Sequence, residues 1–176
     1  MKIKLINFVK IYENKVFNVE SHDVQINNKN KSIGVVKHKD VVAILPILND
    51  GRFVMVNQYR YAIDKTILEI PAGIVEKNES LEEAAKRELQ EEVGFYPNEL
   101  NFFCDFYTSC GFSNERVFVY IAKDLQKSKL KADEDEIIEV IYYDRQSIQN
   151  LINKNKIEDA KTLITFLQYF YGNKKD

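Results

Sequence analysis

The chain has 176 residues, of which 45% are hydrophobic and 12% aromatic, and its formal net charge is −2. This length predicts one domain with enough apolar residues for a buried core. A charge near zero excludes the global basic field that attracts nucleic acid or an anionic membrane. No apolar run approaches a membrane span, and the N-terminus lacks the apolar region and cleavage site of a signal peptide.

Cys104 and Cys110 have no metal-ligand spacing around them. They indicate reduced thiols in a cytoplasmic protein, with a single disulfide as the open alternative. Cys110 is not expected to act as a nucleophile, because no histidine lies near it in the sequence.

The first 38 residues are predicted to form a small antiparallel β annex. Turn-rich stretches separate three extended segments, Ile3–Ile11, Val16–Ile26 and Lys31–Lys37. A β annex of this size buries little apolar surface by itself. We therefore expect it to pack on the main domain or on a second subunit.

Residues 39–172 are predicted to form the main domain, and residues 173–176 a frayed tail. Val41–Leu48 is nearly continuous in apolar residues, as in a strand buried on both faces, with Pro46 at an end or edge. Asn49-Asp50-Gly51 predicts a hairpin turn. The further predicted strands are Arg52–Tyr59, Thr66–Ile70, Leu100–Tyr107, Arg116–Ala122 and Ile137–Tyr143.

Two helices are predicted at the C-terminal end, Asp144–Asn153 and Ile157–Tyr171. The second has apolar residues at helical spacing, which predicts a stripe facing the core. The members of this stripe are Ala160, Leu163, Ile164, Leu167 and Phe170.

The stretch from Gly73 to Phe95 combines a loop, a capped helix and an unusual placement of acid. Ser80 followed by Glu83 has the form of a capping box, and Gly94 suits the end of the helix. At about 100° per residue, the apolar face of this helix continues into carboxylates. That face carries, in order, Leu81, Ala84, Ala85, Glu88 and Glu92, with Glu91 beside them.

Carboxylates held this close repel one another, and partial burial raises the cost of keeping them ionised. Protonation of one, pairing with cations, or a hard metal ion would relieve the repulsion. Oxygen ligands without nearby His or Cys indicate Mg²⁺ or Mn²⁺ rather than zinc. The alternative is an acid-rich helix exposed to water.

This stretch resembles the signature of a known family. Gly73, Glu79 and the run Arg87–Phe95 meet every specified position of the Nudix box, G-x5-E-x7-R-E-U-x-E-E-x-G-U, where U is aliphatic or aromatic. The resemblance implies hydrolysis of a nucleoside diphosphate linked to another group, with divalent metal ions. It also implies an α/β (α+β) fold, the Nudix α/β/α sandwich with a mixed sheet, beside the N-terminal β annex.

The segments that flank the box are most like the ADP-ribose pyrophosphatase branch of the family. Leu68–Gly73 resembles the lead-in to the box, and Tyr107–Glu115 resembles the loop that follows it. In this loop Gly111 and Glu115 match, but Cys110 stands where ADP-ribose enzymes have a proline. Because proline fixes a backbone torsion, the departure weakens the assignment of substrate and leaves the reaction class intact.

The resemblance implies a role for each candidate site residue. The metal ligands are Ala72 (through its carbonyl), Glu88, Glu91 and Glu92. The catalytic residues are Glu136, Arg87 and Glu92. Glu136 would deprotonate the attacking water, with Glu134 as the second choice, and Arg87 would steady the helix and loop by bonding to an acid or a carbonyl.

The substrate-binding residues that the resemblance implies are Arg60, Glu69, Gly111 and Glu115. A guanidinium suits diphosphate oxygens, although Arg60 could instead neutralise a neighbouring acid. For Glu69, pairing with a structural Arg or Lys is the alternative.

ADP-ribose pyrophosphatases carry a similar N-terminal sheet, exchanged across a homodimer in which partner side chains sandwich the adenine. The resemblance therefore implies a homodimer, with Phe17 and His22 as candidates for that contact. Packing within the sheet is the preferred alternative for both.

ADP-ribose, cleaved to AMP and ribose 5-phosphate, is the first choice of substrate. GDP-mannose or another sugar nucleotide is the alternative within enzymes, and a non-catalytic sensor of a nucleotide-derived ligand is the alternative outside them. Sensors of this fold often carry a damaged box, whereas the box is intact here. We expect a nucleotide-sugar ligand and no nucleic acid or membrane partner.

Overall fold

The computed structural model describes residues 3–131 and 137–172. Its backbone contacts divide the chain into two compact units. The first unit contains Met1–Asp40 and Phe106–Arg116, and the second contains Val41–Asp105 and Val117–Asp176. The predicted boundary near residue 38 and the predicted exchange of the annex between subunits stay predictions.

The described residues form ten strands and three α-helices. The strands are β1 (Ile3–Glu13), β2 (Phe17–Ile26), β3 (Lys29–His38), β4 (Val41–Pro46), β5 (Phe53–Arg60), β6 (Lys65–Glu69), β7 (Ala72–Ile74), β8 (Phe95–Tyr107), β9 (Arg116–Lys127) and β10 (Ile138–Tyr143). The helices are α1 (Leu81–Glu88), α2 (Arg145–Asn153) and α3 (Ala160–Tyr171). Within this described part of the chain, none of the helices has the length and apolar character needed to cross a membrane.

The first unit is built on a three-stranded antiparallel sheet in the order β1-β2-β3. This confirms the three extended segments predicted for the N-terminus, each with slightly different ends. The loop between β8 and β9 also belongs to this unit, and it is hydrogen-bonded to β3. Val36 N of β3 donates to Phe112 O of the loop over 2.8 Å. Every residue of β1 is exposed, including its apolar ones.

Phe17 and His22 both contact neighbours in their own sheet. The Phe17 ring stacks near the His38 ring, with centroids 6.4 Å apart, and Nε2 of His22 lies 2.6 Å from a carboxylate oxygen of Glu20. These are the packing contacts expected as the alternative to adenine binding. A contact of either residue with adenine stays a prediction.

The second unit holds two sheets. One has the order β7-β4-β9-β8, with β4 parallel to β9 and antiparallel to β7, and the other is the antiparallel sheet β10-β5-β6. All six residues of β4 are buried, as its continuous apolar run predicts. Pro46 is the last residue of that strand, which confirms the end position expected for it.

Alternate residues of β5 pack against different helices. Val54 and Val56 belong to a core cluster that includes Ala84 of α1. Phe53 instead meets Phe166 of α3, with ring centroids 5.1 Å apart. Because successive side chains of a strand point to opposite faces, this sheet lies between helices. The predicted α/β/α sandwich with mixed pairing is confirmed.

Two strand predictions need correction at their starts or in their type, and a third at its end, because β9 continues to Lys127 beyond the predicted end at Ala122. Residues 72–74, predicted as the lead-in and loop before the acid helix, form β7 on β4. Strand β8 begins at Phe95 and not at Leu100. The earlier start includes Pro97, which an edge strand such as β8 accommodates because it has a partner on one side only.

The stripe predicted to face the core from the last helix is correct only in part: Leu163 is half-buried, and Phe170 packs against the buried Phe53, with ring centroids 6.0 Å apart. The residues of α3 that are buried are Thr162, Thr165 and Phe166, while Ile164 and Leu167 are exposed. The two threonines tolerate burial because their hydroxyls are hydrogen-bonded. Thr162 Oγ1 accepts from Ile70 N, and Thr165 Oγ1 donates to Lys161 O.

Both cysteines are free thiols, as the sequence indicates. Burial, reinforced by the charge of Asp105, raises the pKa of Cys104 to about 11. That thiol is therefore protonated at neutral pH. Cys110 is exposed in the loop of the first unit.

Candidate active site

The acid-rich helix begins as predicted but changes pitch before its end. Ser80 Oγ accepts from Glu83 N over 3.2 Å and Glu83 Oε2 accepts from Ser80 N over 2.9 Å, so the capping box is complete. Gly94 ends the helical run in the left-handed region, at φ 76°. Between α1 and Gly94, however, the residues Leu89–Val93 form a π-helical turn. The prediction of one regular α-helix is therefore wrong over its last turn.

The carboxylates of this helical segment face inward. Glu88 and Glu92 are only 8% and 3% exposed, and Glu91 is partly buried. This excludes the alternative of an acid-rich helix lying open to water. A π-turn advances by a smaller angle per residue than an α-helix, so the placement of Glu91 and Glu92 does not follow the α-helical wheel.

Arg87 lies among three of the acids. Its Nε and Nη2 donate to the two oxygens of Glu79 over 2.8 and 3.0 Å. Its Nη1 donates to Glu88 over 2.6 Å and to Glu91 over 2.8 Å. Nη2 also donates to the carbonyl of Ile74 over 3.0 Å. Arg87 thus bonds both to acids and to a carbonyl, the contacts that the sequence assigns to it.

These contacts shift the pKa values of Arg87 and of Glu79. The hydrogen bond to Glu79, followed by the charge of Glu88, raises the pKa of Arg87 above its ordinary value. The same hydrogen bond lowers the pKa of Glu79. Both shifts favour the ion pair between Arg87 and Glu79.

The buried carboxylates lie against the strand that leads into the helix. Ala72 N donates to Glu92 Oε2 over 3.1 Å. A Cβ atom added at Gly73 would lie 2.0 Å from Glu88 Oε1, so any side chain at this position would displace the carboxylate. Pairing of β7 with β4 holds these two residues in place. The first glycine of the box is thus required for close approach.

The residue types present fit a hard divalent cation. The donors are oxygens alone, from Glu88, Glu91, Glu92 and the main-chain carbonyl of Ala72. Among the contacts of Arg87 with described residues, three carboxylates meet the single guanidinium, so carboxylates are in excess in these contacts. Such an excess attracts a cation.

In residues 3–131 and 137–172, no three Asp, Glu, His or Cys side chains are arranged around one point as metal ligands. The reason is visible at Arg87, whose Nη1 lies between Glu88 and Glu91. Pairing with a cation was one of the three predicted ways to relieve the repulsion, and it is the one that this conformation displays.

A second charged cluster joins two of the predicted substrate-binding residues. Arg60 donates from Nε and Nη2 to the two oxygens of Glu69, each over 2.6 Å. Glu69 is 1% exposed and also accepts from Lys161 Nζ. This confirms the alternative prediction for Glu69, pairing with an Arg or a Lys. Arg60 likewise neutralises a neighbouring acid, and part of its side chain remains exposed.

The charges of this cluster reinforce one another. Burial alone would raise the pKa of Glu69, but the hydrogen bond from Arg60 and the charge of Lys161 outweigh it and lower that pKa. Bonding to Glu69 raises the pKa of Arg60, and the charge of Glu92 adds to this effect. The Arg60 guanidinium therefore experiences the field of the acid-rich segment.

Three residues of this cluster were missed by the sequence analysis: Asp159, Lys161 and Thr162. Asp159 caps α3 by accepting from Thr162 N over 2.9 Å, and it also accepts from Lys161 Nζ over 3.0 Å. Aspartate followed three residues later by a polar residue, just before an apolar run, is a helix-start signal that could have located this cap. The pairing of Lys161 with Glu69 spans 92 positions and has no local signal.

Of the remaining predicted site residues, Glu136 and Glu134 fall outside the described residues. Gly111 and Glu115 belong to the first unit, where Glu115 accepts from Thr108 Oγ1 over 2.5 Å and Gly111 is exposed. Their roles stay predictions.

The fold and the acid-rich segment define a hydrolase of the α/β/α sandwich class. A profile of the NUDIX domain matches residues 37–166. The chain belongs to the Nudix family, whose members generally use divalent metal ions.

Two curated relatives and one solved structure give the likeness in more detail. The chain is 38% identical to an ADP-ribose pyrophosphatase from Bacillus subtilis (strain 168), over 90% of this chain and 89% of that one. It is 36% identical to a methanol dehydrogenase activator from Bacillus methanolicus, over 94% and 91%. A crystal structure of an ADP compounds hydrolase covers 98% of both chains with a TM-score of 0.83. At 24% identity, that structure demonstrates the shared fold.

Proposed function

We propose that this protein hydrolyses the diphosphate bond of ADP-ribose to AMP and ribose 5-phosphate, with Mg²⁺ as its divalent cation. The observation that carries the proposal is the buried excess of carboxylate around Arg87, inside a complete Nudix box. The choice of substrate is supported by the Bacillus subtilis relative, which is named an ADP-ribose pyrophosphatase.

Glu88, Glu91, Glu92 and the Ala72 carbonyl are the residues proposed to hold the cation, and Mn²⁺ suits the same oxygens. A divalent cation bound there would draw charge from the phosphate oxygens and so favour attack by water. The chain's own contribution is to hold these carboxylates close together. Arg87 donates hydrogen bonds to both Glu88 and Glu91, and the absence of a side chain at Gly73 leaves room for the Glu88 carboxylate.

Arg60 is proposed to bind the diphosphate. Its guanidinium has five N–H groups. Two of its nitrogens, Nε and Nη2, donate to Glu69, and the side chain is 39% exposed. A planar guanidinium held by one bidentate contact is well suited to donate its other N–H groups to diphosphate oxygens.

The other proposed roles follow the resemblance. Glu136 is the proposed base for the attacking water, and Gly111 and Glu115 are proposed to contact the substrate. These three positions complete the predicted site.

A cytoplasmic homodimer is also proposed. Strand β1 stands at the edge of its sheet and is exposed throughout. Its exposed apolar residues are Ile3, Leu5, Ile6, Phe8, Val9, Ile11 and Tyr12. A strand with such a surface requires cover to avoid aggregation, and a second copy would supply it. Light scattering after size-exclusion chromatography measures this directly, and a monomeric mass would contradict it.

The purified protein should be incubated with Mg²⁺ and a panel of nucleotide sugars, with products separated by chromatography. Release of AMP from ADP-ribose supports the proposal. Release of GMP from GDP-mannose would support the alternative substrate, and tight binding without turnover would support a sensor. Direct measurement matters here, because a relative of nearly equal identity is named a dehydrogenase activator and not by a substrate.

A further inference from the structure

Lys161 has no part in the reaction proposed above, although its position is unusual for a lysine. Its side chain is 12% exposed and contacts two acids, Glu69 and Asp159. A lysine that deeply buried is expected to be paired, and here the pairing joins α3 to the end of β6.

Glu69 is shared between Lys161 and Arg60. One of its oxygens, Oε1, accepts from Arg60 Nε, while Oε2 accepts from both Arg60 Nη2 and Lys161 Nζ. A buried carboxylate with three charge-assisted hydrogen bonds has a defined plane. Because the contact with Arg60 is bidentate, the plane of the carboxylate sets the plane of the guanidinium.

Lys161 is itself held by the start of α3. Asp159 accepts from Lys161 Nζ and from the hydroxyl of Thr162, the latter over 2.6 Å. The same hydroxyl oxygen accepts from Ile70 N over 2.9 Å. Ile70 directly follows Glu69. The start of α3 therefore contacts two consecutive residues, Glu69 through Lys161 and Ile70 through Thr162.

The charges of the cluster balance: Arg60 and Lys161 are positive, and Glu69 and Asp159 are negative. Without Lys161, the cluster would hold two acids and one guanidinium, and its net charge would become negative. The field of Glu92 also reaches Arg60. A diphosphate approaching Arg60 would then meet net repulsion.

We propose that Lys161 is a positioning residue for diphosphate recognition, which shares the Glu69 carboxylate with Arg60 and so preserves both the orientation and the positive field of the guanidinium. The inference rests on the proposed function in one respect, that Arg60 meets a diphosphate. It does not depend on which sugar the substrate carries.

The test compares Lys161→Met with a matched control. The control residue is Lys65, which lies on β6, the strand that ends at Glu69. Lys65 pairs with Glu158, the residue before Asp159, over 2.7 Å, and this ion pair is exposed. Lys65 also pairs with Arg60 across strands β5 and β6, so Lys65→Met removes a lysine ion pair next to Arg60 that does not include Glu69.

With ADP-ribose and Mg²⁺, Lys161→Met is expected to raise KM about tenfold, the effect of weakening one charge-assisted contact. The kcat should change less than about twofold, because the loss falls on substrate binding. Lys161→Arg should recover most of the affinity, and Lys65→Met should keep the wild-type KM.

A purely structural role predicts a different result. If Lys161→Met lowers the unfolding temperature and leaves KM unchanged, or if both lysine variants raise KM equally, the inference is wrong. Should Lys161→Met fail to fold, Lys161→Gln removes the charge and keeps a polar group near Glu69 and Asp159. A folded Lys161→Gln variant with the wild-type KM would equally overturn the inference.

Failure of the proposed substrate can be told apart from failure of this inference. If the wild type does not hydrolyse ADP-ribose, the proposed function is refuted, and titration calorimetry with ADP as probe then tests Lys161 without turnover. Lys161→Met should bind ADP about tenfold more weakly than Lys65→Met. Equal affinities, or no binding of ADP by the wild type, would refute the role of Lys161.

Discussion

Two arginines in the second unit organise charge in opposite ways. Arg87 contacts the three carboxylates of Glu79, Glu88 and Glu91, so its cluster carries an excess of negative charge. In the cluster around Arg60, two cations meet two acids. The same residue type thus stands in an unbalanced cluster and in a balanced one.

The difference indicates what each cluster is suited to bind. A partly buried excess of carboxylate is relieved by a divalent cation, whereas a balanced cluster gains little from one. The balanced cluster instead fixes the orientation of a guanidinium, which suits an anionic substrate. The two clusters are close along the chain, because Glu69 ends β6 and Ile74, whose carbonyl accepts from Arg87, ends β7.

The largest effect is expected from a substitution that disrupts the acid-rich cluster around Arg87. Glu88→Gln should lower kcat about a thousandfold, since a metal ligand contributes several kcal/mol to stabilising the transition state. The protein should still fold, because glutamine has nearly the same shape and fits against Gly73. Steady-state kinetics and circular dichroism measure the two properties. The control is Glu82→Gln, an exposed acid on the same helix, and wild-type activity in the Glu88 variant would contradict the metal assignment.

A second change tests the charge excess itself. Arg87→Gln should cost about 3 kcal/mol in the free energy of unfolding without divalent ions, because it leaves partly buried carboxylates without their counter-charge. Added Mg²⁺ should restore part of this, since it binds the folded state. Urea unfolding with and without Mg²⁺ measures both.

Arg52→Gln is the control for that experiment, because Arg52 forms an exposed pair with Asp50 and should have little effect. An equal loss of stability in Arg87→Gln with and without Mg²⁺ would contradict the interpretation of the cluster as a cation site.

A third change addresses water activation, which neither cluster supplies. Glu136→Gln should lower kcat about a hundredfold, as expected for loss of a general base, with little change in the Mg²⁺ concentration needed for half-maximal activity. Glu134→Gln is the comparison variant. If Glu134 proves to be the sensitive position, the assignment of the base is wrong.

The smallest effect concerns pH and the balanced cluster. Burial opposes ionisation of Glu69, but Arg60 and Lys161 outweigh it, so its folded-state pKa lies below the ordinary value of 4.5. Its ionised form therefore stabilises the fold fully above pH 4.5, and this contribution is lost as the pH falls through the lower, folded-state pKa. Urea unfolding across acidic pH should show a shallower decline for Glu69→Gln than for the wild type. Identical slopes would show that other acids, such as Glu79, control the acid sensitivity.

Local patterns predicted a large part of the fold and of the site. The capping box at Ser80, the left-handed Gly94 and the buried β4 follow from neighbouring residues alone. The stripe on α3 was wrong at Ile164 and Leu167, because apolar periodicity cannot show that Thr162 is buried and receives a hydrogen bond from Ile70. The π-turn at Leu89–Val93 was missed because its residues are equally compatible with an α-helix.

By itself, the sequence determined the chemistry of the site: which oxygen-bearing side chains are present, and their spacing along one helical segment beside Gly73. Only the tertiary structure decided how their charge is compensated. It placed Arg87 between Glu88 and Glu91, and it brought Lys161 to Glu69 across 92 positions. The physical reason is that local spacing governs helix and strand formation, whereas the partner of a buried charge depends on which elements pack together.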